Sequence, residues 1–320
     1  VVVKSRKKDN IKRLKIIGGV IITAVAFYFF MAALSGLNPS DLSTERINWW
    51  LVCASAIIFG FATFVRALVY PYGIDKDMSI IDAWQIVAVG NAANMVLPFR
   101  AGEGIRLAVF PKRYSAAKRA KLAFIPGMAD IGVILLLSVL AVYIADFKNP
   151  TFVSTLKIAV YGFLTLCALL FIIFLAIPKT RVEVISYFNK DTLNMLKWVF
   201  LSWIIMLLSI WVGFIAIGYG PLHSIQLSFG AFAGMNIACL IPSSPGNLGV
   251  FEWSVIVGLA ELGIATIPAK AAGLVLHIIQ YVGIVPLGII LYIRFFIHRN
   301  RTESLLFSRN SSWRAFGYKK

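Results

Sequence analysis

Asn94-Met95-Val96-Leu97-Pro98-Phe99-Arg100-Ala101-Gly102-Glu103-Gly104-Ile105-Arg106 interrupts one long apolar stretch of the chain. Asn236-Ile237-Ala238-Cys239-Leu240-Ile241-Pro242-Ser243-Ser244-Pro245-Gly246-Asn247-Leu248-Gly249-Val250-Phe251-Glu252 interrupts another. In each, an Asn precedes an aliphatic–Pro pair, and glycines and an acid follow. Proline and glycine inside apolar sequence break a membrane helix, and such breaks persist where neighbouring groups re-satisfy the freed backbone. Aligning Pro98 with Pro242 carries Trp49 to Leu193 and Pro126 to Lys270, each at the start of an unbroken apolar run. A unit of span, broken hairpin and span therefore occurs twice, over residues 49–146 and 193–296. The broken hairpins occupy residues 80–114 and 222–264.

Composition sets the context. Of 320 residues, 59% are apolar and only 14% are charged, against about 45–50% and about 25% in soluble domains. The excess is concentrated in runs long enough to cross a bilayer, which takes about 20 residues. Six runs qualify: Ile16–Gly36, Trp49–Tyr70, Pro126–Ala145, Lys157–Ile177, Met195–Gly218 and Lys270–Phe296. The expected fold class is all-α integral membrane, with six full spans plus two broken or re-entrant helical hairpins in an inverted repeat. Residues 1–15 form a basic N-terminus, 16–298 a single transmembrane domain and 299–320 a basic tail.

Lysine and arginine orient the spans, because they collect on the cytoplasmic side. All 31 fall into the N-terminus, the tail and the loops after spans two and four, except Arg46, Arg66, Lys148, Lys157 and Lys270. Both termini are therefore expected in the cytoplasm of a cell envelope, with the protein in the cytoplasmic membrane. The first hairpin then enters from inside and the second from outside, the pattern of an alternating-access carrier. The net charge of +17 is accounted for by these loops and by anionic lipid, not by nucleic acid. Cys53, Cys167 and Cys239 lie in apolar runs without CxxC spacing and are expected as buried free thiols. No metal-ligand cluster, P-loop or nucleophile–base arrangement stands out, so no cofactor and no enzymatic activity are expected. The N-terminal run is long enough to span and is not expected to be a cleaved signal.

The stretch from Gly90 to Glu103, with Arg106 beyond it, resembles the first signature of the lysylphosphatidylglycerol synthase transmembrane-region family. Ile241 to Glu252 resembles the second, and Asp130 stands where that family carries an acid in the following span. The family is best known as the flippase half of a bacterial factor that makes aminoacylated phosphatidylglycerol and moves it to the outer leaflet. The 24 residues after Phe296 are too few for the synthase half, so the resemblance implies lipid transport without synthesis. It implies membrane lipids as partners, whether aminoacylated or anionic phospholipid or glycolipid. A homodimer is an expectation from resemblance alone.

Only the headgroup of a flipped lipid must cross hydrocarbon, so polar residues at membrane depth are the candidate site. Arg100 and Arg106 flank the first break, and a guanidinium forks onto phosphate oxygens while keeping its charge. Their alternative role is to anchor the cytoplasmic edge or to pair with Glu103. Ser243, Ser244 and Asn247 form the mirror site, where Ser244 or Asn247 caps a restarting helix. Glu252 binds a cationic headgroup, pairs with Arg66 or another arginine, or caps that helix. Asp130 is expected beside Arg100 or Arg106, as a structural ion pair or a coupling-ion site. Asn91, Asn94, Asn236 and Gln280 either line the path or glue helices together. His277 is expected as a packed, hydrogen-bonded histidine, and Gly230 and Gly234 as a close-packing pair. Lys112, Arg113, Lys118, Arg119 and Lys121 read as a lipid-surface patch. The function that follows is a lipid flippase, with a soluble-solute carrier or an enzyme-recruiting membrane subunit as alternatives.

Overall fold

The structure is a computed structural model. It describes residues 47–97, 100–177, 189–238 and 245–315, together with positions 28, 31, 35–38 and 181. All regular elements among the described residues are helical: α1 (Trp49–Ala67), α2 (Ile80–Val96), α3 (Gly102–Val109), α4 (Ala116–Ile144), α5 (Pro150–Ala176), α6 (Lys190–Ala216), α7 (Pro221–Ala238), α8 (Val250–Ala260) and α9 (Thr266–Ala315). A π-helical turn, Tyr70–Ile74, extends α1, and a 3-10 turn, Pro245–Asn247, lies between α7 and α8.

Five segments are long and apolar enough to cross a membrane: Trp49–Ile74, Ala116–Ile144, Pro150–Ala176, Lys190–Ala216 and Thr266–His298. They correspond to five of the six expected spans. The first expected span, Ile16–Gly36, lies almost wholly outside the described residues. α1 and α2 begin where the sequence reading places them, whereas α4, α5 and α6 begin earlier than their apolar runs suggest, because polar caps set their ends. Asn48, Ser79, Ser115, Asn149 and Asn189 each accept hydrogen bonds from backbone N–H groups of the first turn, each cap contributing about 1 kcal/mol. Ser115 starts α4 well before Pro126, which the sequence reads as a span start. The proline sits inside the helix, where its carbonyl accepts a hydrogen bond from Arg66 at 3.1 Å.

The core sits where α1, α6, α7, α8 and α9 meet, around Phe59, Phe214, Phe232, Leu227, Leu259 and Ile279. α1 and α6 run antiparallel: Asn48 N–H, at the start of one, donates to the Ala216 carbonyl at the end of the other. Midway, Ser55 and Ser209 each donate to the other's backbone carbonyl, at 2.7 and 2.8 Å. α2 packs on α9 and α4 on α7. Gly230 and Gly234 face α8, where a Cβ at Gly234 would overlap the Ser254 carbonyl, so the close-packing reading of this pair holds. α5 packs on α4 and otherwise presents apolar side chains such as Ile158, Leu166 and Ile172 outward, as a helix bathed in lipid does.

Both interruptions are real breaks. α2 ends at Val96 and α3 starts at Gly102; α7 ends at Ala238 and α8 starts at Val250. They also touch. The Tyr281 hydroxyl, on α9, donates to the Met95 carbonyl at 3.0 Å, and a Cβ on Gly246 would lie 3.0 Å from that same oxygen.

Two expectations change. Cys53 and Cys167 are exposed on the outer apolar surface rather than buried, because an apolar environment outside the bundle accepts a thiol as readily as the core does. Cys239 lies outside the described residues. In the basic cluster after α3, three cations bind the protein itself. Lys118 Nζ is 3.1 Å from Asp75, Arg113 donates to the Asp77 carbonyl at 2.7 Å, and Arg119 donates to the Tyr114 carbonyl at 2.9 Å.

Burial pushes the Asp75 carboxyl up, but hydrogen bonds from Tyr114 and Lys118 and the Lys118 charge outweigh it and hold the group below the usual carboxylate range. A depressed folded value contributes stability above the unfolded value, which is lost as pH falls through the folded one. Wild-type protein in detergent is expected to lose this contribution as pH falls below the ordinary carboxylate value of about 3.9, and the loss is small because Lys118 is half exposed. Thermal unfolding of Asp75→Asn should lack that portion of the acid slope; an unchanged slope would count against it.

Candidate functional site: a charged cavity between the two breaks

A cavity of about 330 Å³ opens between α1, α2, α4, α6 and α9, floored by the second break. Its wall carries Arg66, Asn91, Asn94, Arg106, Asp130, Asn247 and Gln280, together with Thr63, Tyr70, Trp203 and Phe251. Seven of the thirteen sequence-nominated residues thus converge from separate segments.

Arg66 lies in the last turn of α1 and Asp130 in the middle of α4. Arg66 Nη2 donates to Asp130 Oδ2 at 2.5 Å, and Trp203 Nε1, from α6, donates to Asp130 Oδ1 at 2.9 Å. The sequence nominates Arg100 or Arg106 for Asp130 and Glu252 for Arg66; the fold instead pairs Arg66 with Asp130. α4 starts ten residues before Pro126, so Asp130 lies mid-helix rather than in a first turn, within reach of Arg66. The two side chains are 18% and 25% exposed, into the cavity. Arg66 Nη1 is buried and has no hydrogen-bond partner.

Arg106, on α3, reaches back across the first break. Nη1 donates to Glu103 at 2.9 Å and Nη2 to Asn91 Oδ1 at 2.8 Å. Asn94 donates to the other Glu103 oxygen at 3.1 Å, while its own Oδ1 is buried without a partner. The close approach of α3 to α2 depends on two glycines. A Cβ on Gly102 would overlap the Gly90 carbonyl and Asn94 Oδ1, and a Cβ on Gly90 would sit 2.7 Å from Arg106 Nε. Arg100 occupies the turn itself, at a φ of 52°, and does not line the cavity.

Glu252 does not face the cavity. It is 1% exposed, behind Phe251. One oxygen accepts the Gly249 N–H at 2.7 Å, the capping role foreseen for it, and the other lies 2.6 Å from His277 Nδ1. Gly249, not Asn247, is the N-cap of α8. Ser243 and Ser244 lie outside the described residues, as does the side chain of Asn236. His277 is hydrogen-bonded and buried, as expected. Trp203 and Tyr281 were not nominated: an aromatic ring in an apolar span carries no sign of the polar atom that will find a partner.

The charges balance. Arg66 and Arg106 oppose Asp130 and Glu103, so the set costs less than four separate ions in an apolar bundle. Two buried donors, Arg66 Nη1 and Arg106 Nε, and one buried acceptor, Asn94 Oδ1, have no hydrogen-bond partner.

The described residues hold no cluster of three metal-binding side chains. No curated protein and no solved structure matches the chain. The family model described as the lysylphosphatidylglycerol synthase TM region matches residues 16–288, a span that includes both breaks and every cavity residue named above. The chain is a multi-pass membrane protein that belongs to the lysylphosphatidylglycerol synthase transmembrane-region family.

Proposed function

We propose that the chain is a lipid flippase of the cytoplasmic membrane, which passes a headgroup through the cavity while the acyl tails stay in the bilayer. The observation that carries this reading is the arginine–carboxylate set around the cavity, inside an otherwise apolar bundle. A lipid phosphate faces Arg66 and Arg106, as bidentate guanidinium recognition favours. An ammonium on the same headgroup faces Asp130 and Glu103. The preferred cargo is therefore a phospholipid carrying both signs, aminoacylated phosphatidylglycerol among them. Binding and release of such a headgroup need no covalent step.

Alternating access by two inverted repeats belongs to the same proposal. The element order α1–α4 matches α6–α9, equivalent helices α1 and α6 run antiparallel, and the packing of α2 on α9 is matched by that of α4 on α7. These features support discontinuous helices meeting at the site. Both termini are assigned to the cytoplasm on the lysine and arginine distribution.

The test is translocation of labelled lipids in proteoliposomes across a headgroup panel. Wild-type protein is expected to move phosphate-bearing lipids. Arg106→Ala, which loses charge-assisted hydrogen bonds of about 1.5–3 kcal/mol, should slow them about tenfold or more while remaining folded. Equal rates in the two proteins, or no movement of any lipid by folded wild type, would remove the reading.

A further inference from the structure

The buried pair behind the cavity has its own proton arithmetic. His277 Nε2 lies 2.9 Å from the Gly246 carbonyl, which only accepts, so Nε2 carries a hydrogen. Nδ1 lies 2.6 Å from Glu252 Oε1, a contact that needs one hydrogen between the two atoms. Glu252 Oε2 is occupied as acceptor of the Gly249 N–H. This conformation therefore fits one shared proton, held either as imidazolium–carboxylate or as imidazole–carboxylic acid. Losing it brings two lone pairs face to face. A second proton must go to Oε2, where it opposes the Gly249 N–H.

Every bond of the pair grips the same short segment. Gly246 and Gly249 have φ of 59° and 81° and form the break between α7 and α8. Gly246 packs against the Tyr281 hydroxyl, which is itself bonded to Met95 at the first break. The pair is thus connected through Gly246 and Tyr281 to Met95 at the first interruption. The ring of Tyr281, an ionisable group one turn along α9, lies 5.0 Å from that of His277. α8 contributes no other ionisable side chain, α7 only His223 in its first turn, and α2 only Asp82 in its first turn. Arg66, Arg106 and Asp130 stand across the cavity, beyond Phe251.

We infer that Glu252 and His277 form a proton-binding site that clamps the α7–α8 break, so that proton release frees the break and links headgroup movement to a proton gradient. The coupling half of this inference rests on the flippase reading; the clamp does not. Glu252→Gln is the informative variant. Its amide oxygen accepts from Gly249 and its NH₂ donates to neutral His277, which reproduces the protonated state without a removable proton.

The clamp is tested by hydrogen exchange of residues 245–260 in detergent-solubilised full-length protein. The segment should lose protection by about tenfold per pH unit in wild type as the pair deprotonates, beyond the chemical rate seen in Glu252→Gln at the same pH. In Glu252→Gln it should stay protected throughout, and in His277→Gln it should show no pH-dependent loss. A wild-type profile indistinguishable from Glu252→Gln would overturn the clamp even if no lipid moves. Coupling is tested in proteoliposomes at clamped voltage. A one-unit pH gradient should change the wild-type rate about tenfold and leave that of Glu252→Gln unchanged. Wild-type translocation indifferent to the gradient would overturn coupling and leave the flippase reading standing.

Discussion

Arg66→Ala is expected to lower the stability of the folded protein by about 2 kcal/mol and to abolish lipid translocation. Removing one member of a fully buried ion pair costs about 3–5 kcal/mol, because the other charge is left without a partner. Here both side chains are partly open to the cavity, and water there reduces the cost. Asp130 would keep only the Trp203 N–H. The decisive protein is the double variant Arg66→Met with Asp130→Leu. Replacing a whole buried pair by apolar groups of similar size is often neutral or stabilising. The double variant should therefore regain the wild-type unfolding midpoint in detergent while remaining inactive in proteoliposomes. Recovered stability with recovered transport would mean that the pair holds helices together and does not handle the headgroup.

Gly102→Ala is expected to have the second largest effect, through geometry alone. The added Cβ overlaps the Gly90 carbonyl and Asn94 Oδ1. The amide can rotate away, but the carbonyl belongs to a helix and cannot. α3 must move outward, and it takes Glu103 and Arg106 with it, breaking the 2.8 Å bond to Asn91. Overpacking of this kind costs about 1–3 kcal/mol. Transport should fall further than stability, because the displaced helix carries a cavity arginine. Gly104→Ala, two residues on, is the control: nothing lies within 4 Å of its Cβ, and alanine favours helix by about 0.5–1 kcal/mol. If both variants unfold at the same temperature and transport equally well, the close crossing of α2 and α3 has no bearing on activity.

Much of the site was legible in the chain because membrane insertion penalises polar groups. Arg66, Asn91, Asn94, Arg106, Asp130 and Gln280 interrupt apolar sequence, and each needs a reason to be there. Their partners were legible only in part: Arg106 pairs with Glu103 as foreseen, but the partner of Asp130 was not. Asp130 was paired with the wrong arginine because Pro126 reads as the start of a span, whereas Ser115 caps the helix ten residues earlier. That earlier start places Asp130 about 15 Å farther from the beginning of its helix than a start at Pro126 would, at 1.5 Å per residue. Glu252 was read as facing the path or capping a helix. Its burial behind Phe251 and its bond to His277 follow from how α8 docks on α9, which no local pattern encodes.

The sequence by itself determined that the chain is helical and membrane-spanning, where its two helices break, and which residues are too polar for hydrocarbon. Those properties are local, because they follow from the length of apolar runs, from caps, and from the cost of moving each side chain out of water. Only the tertiary structure decided that the two breaks touch at Met95 and Gly246, that Arg66 meets Asp130, and that Glu252 and His277 lie within hydrogen-bond distance of each other beside the break. Such pairings depend on helix rotation and depth to within a few ångströms. The packing of several helices at once sets those quantities, and hydropathy is indifferent to them.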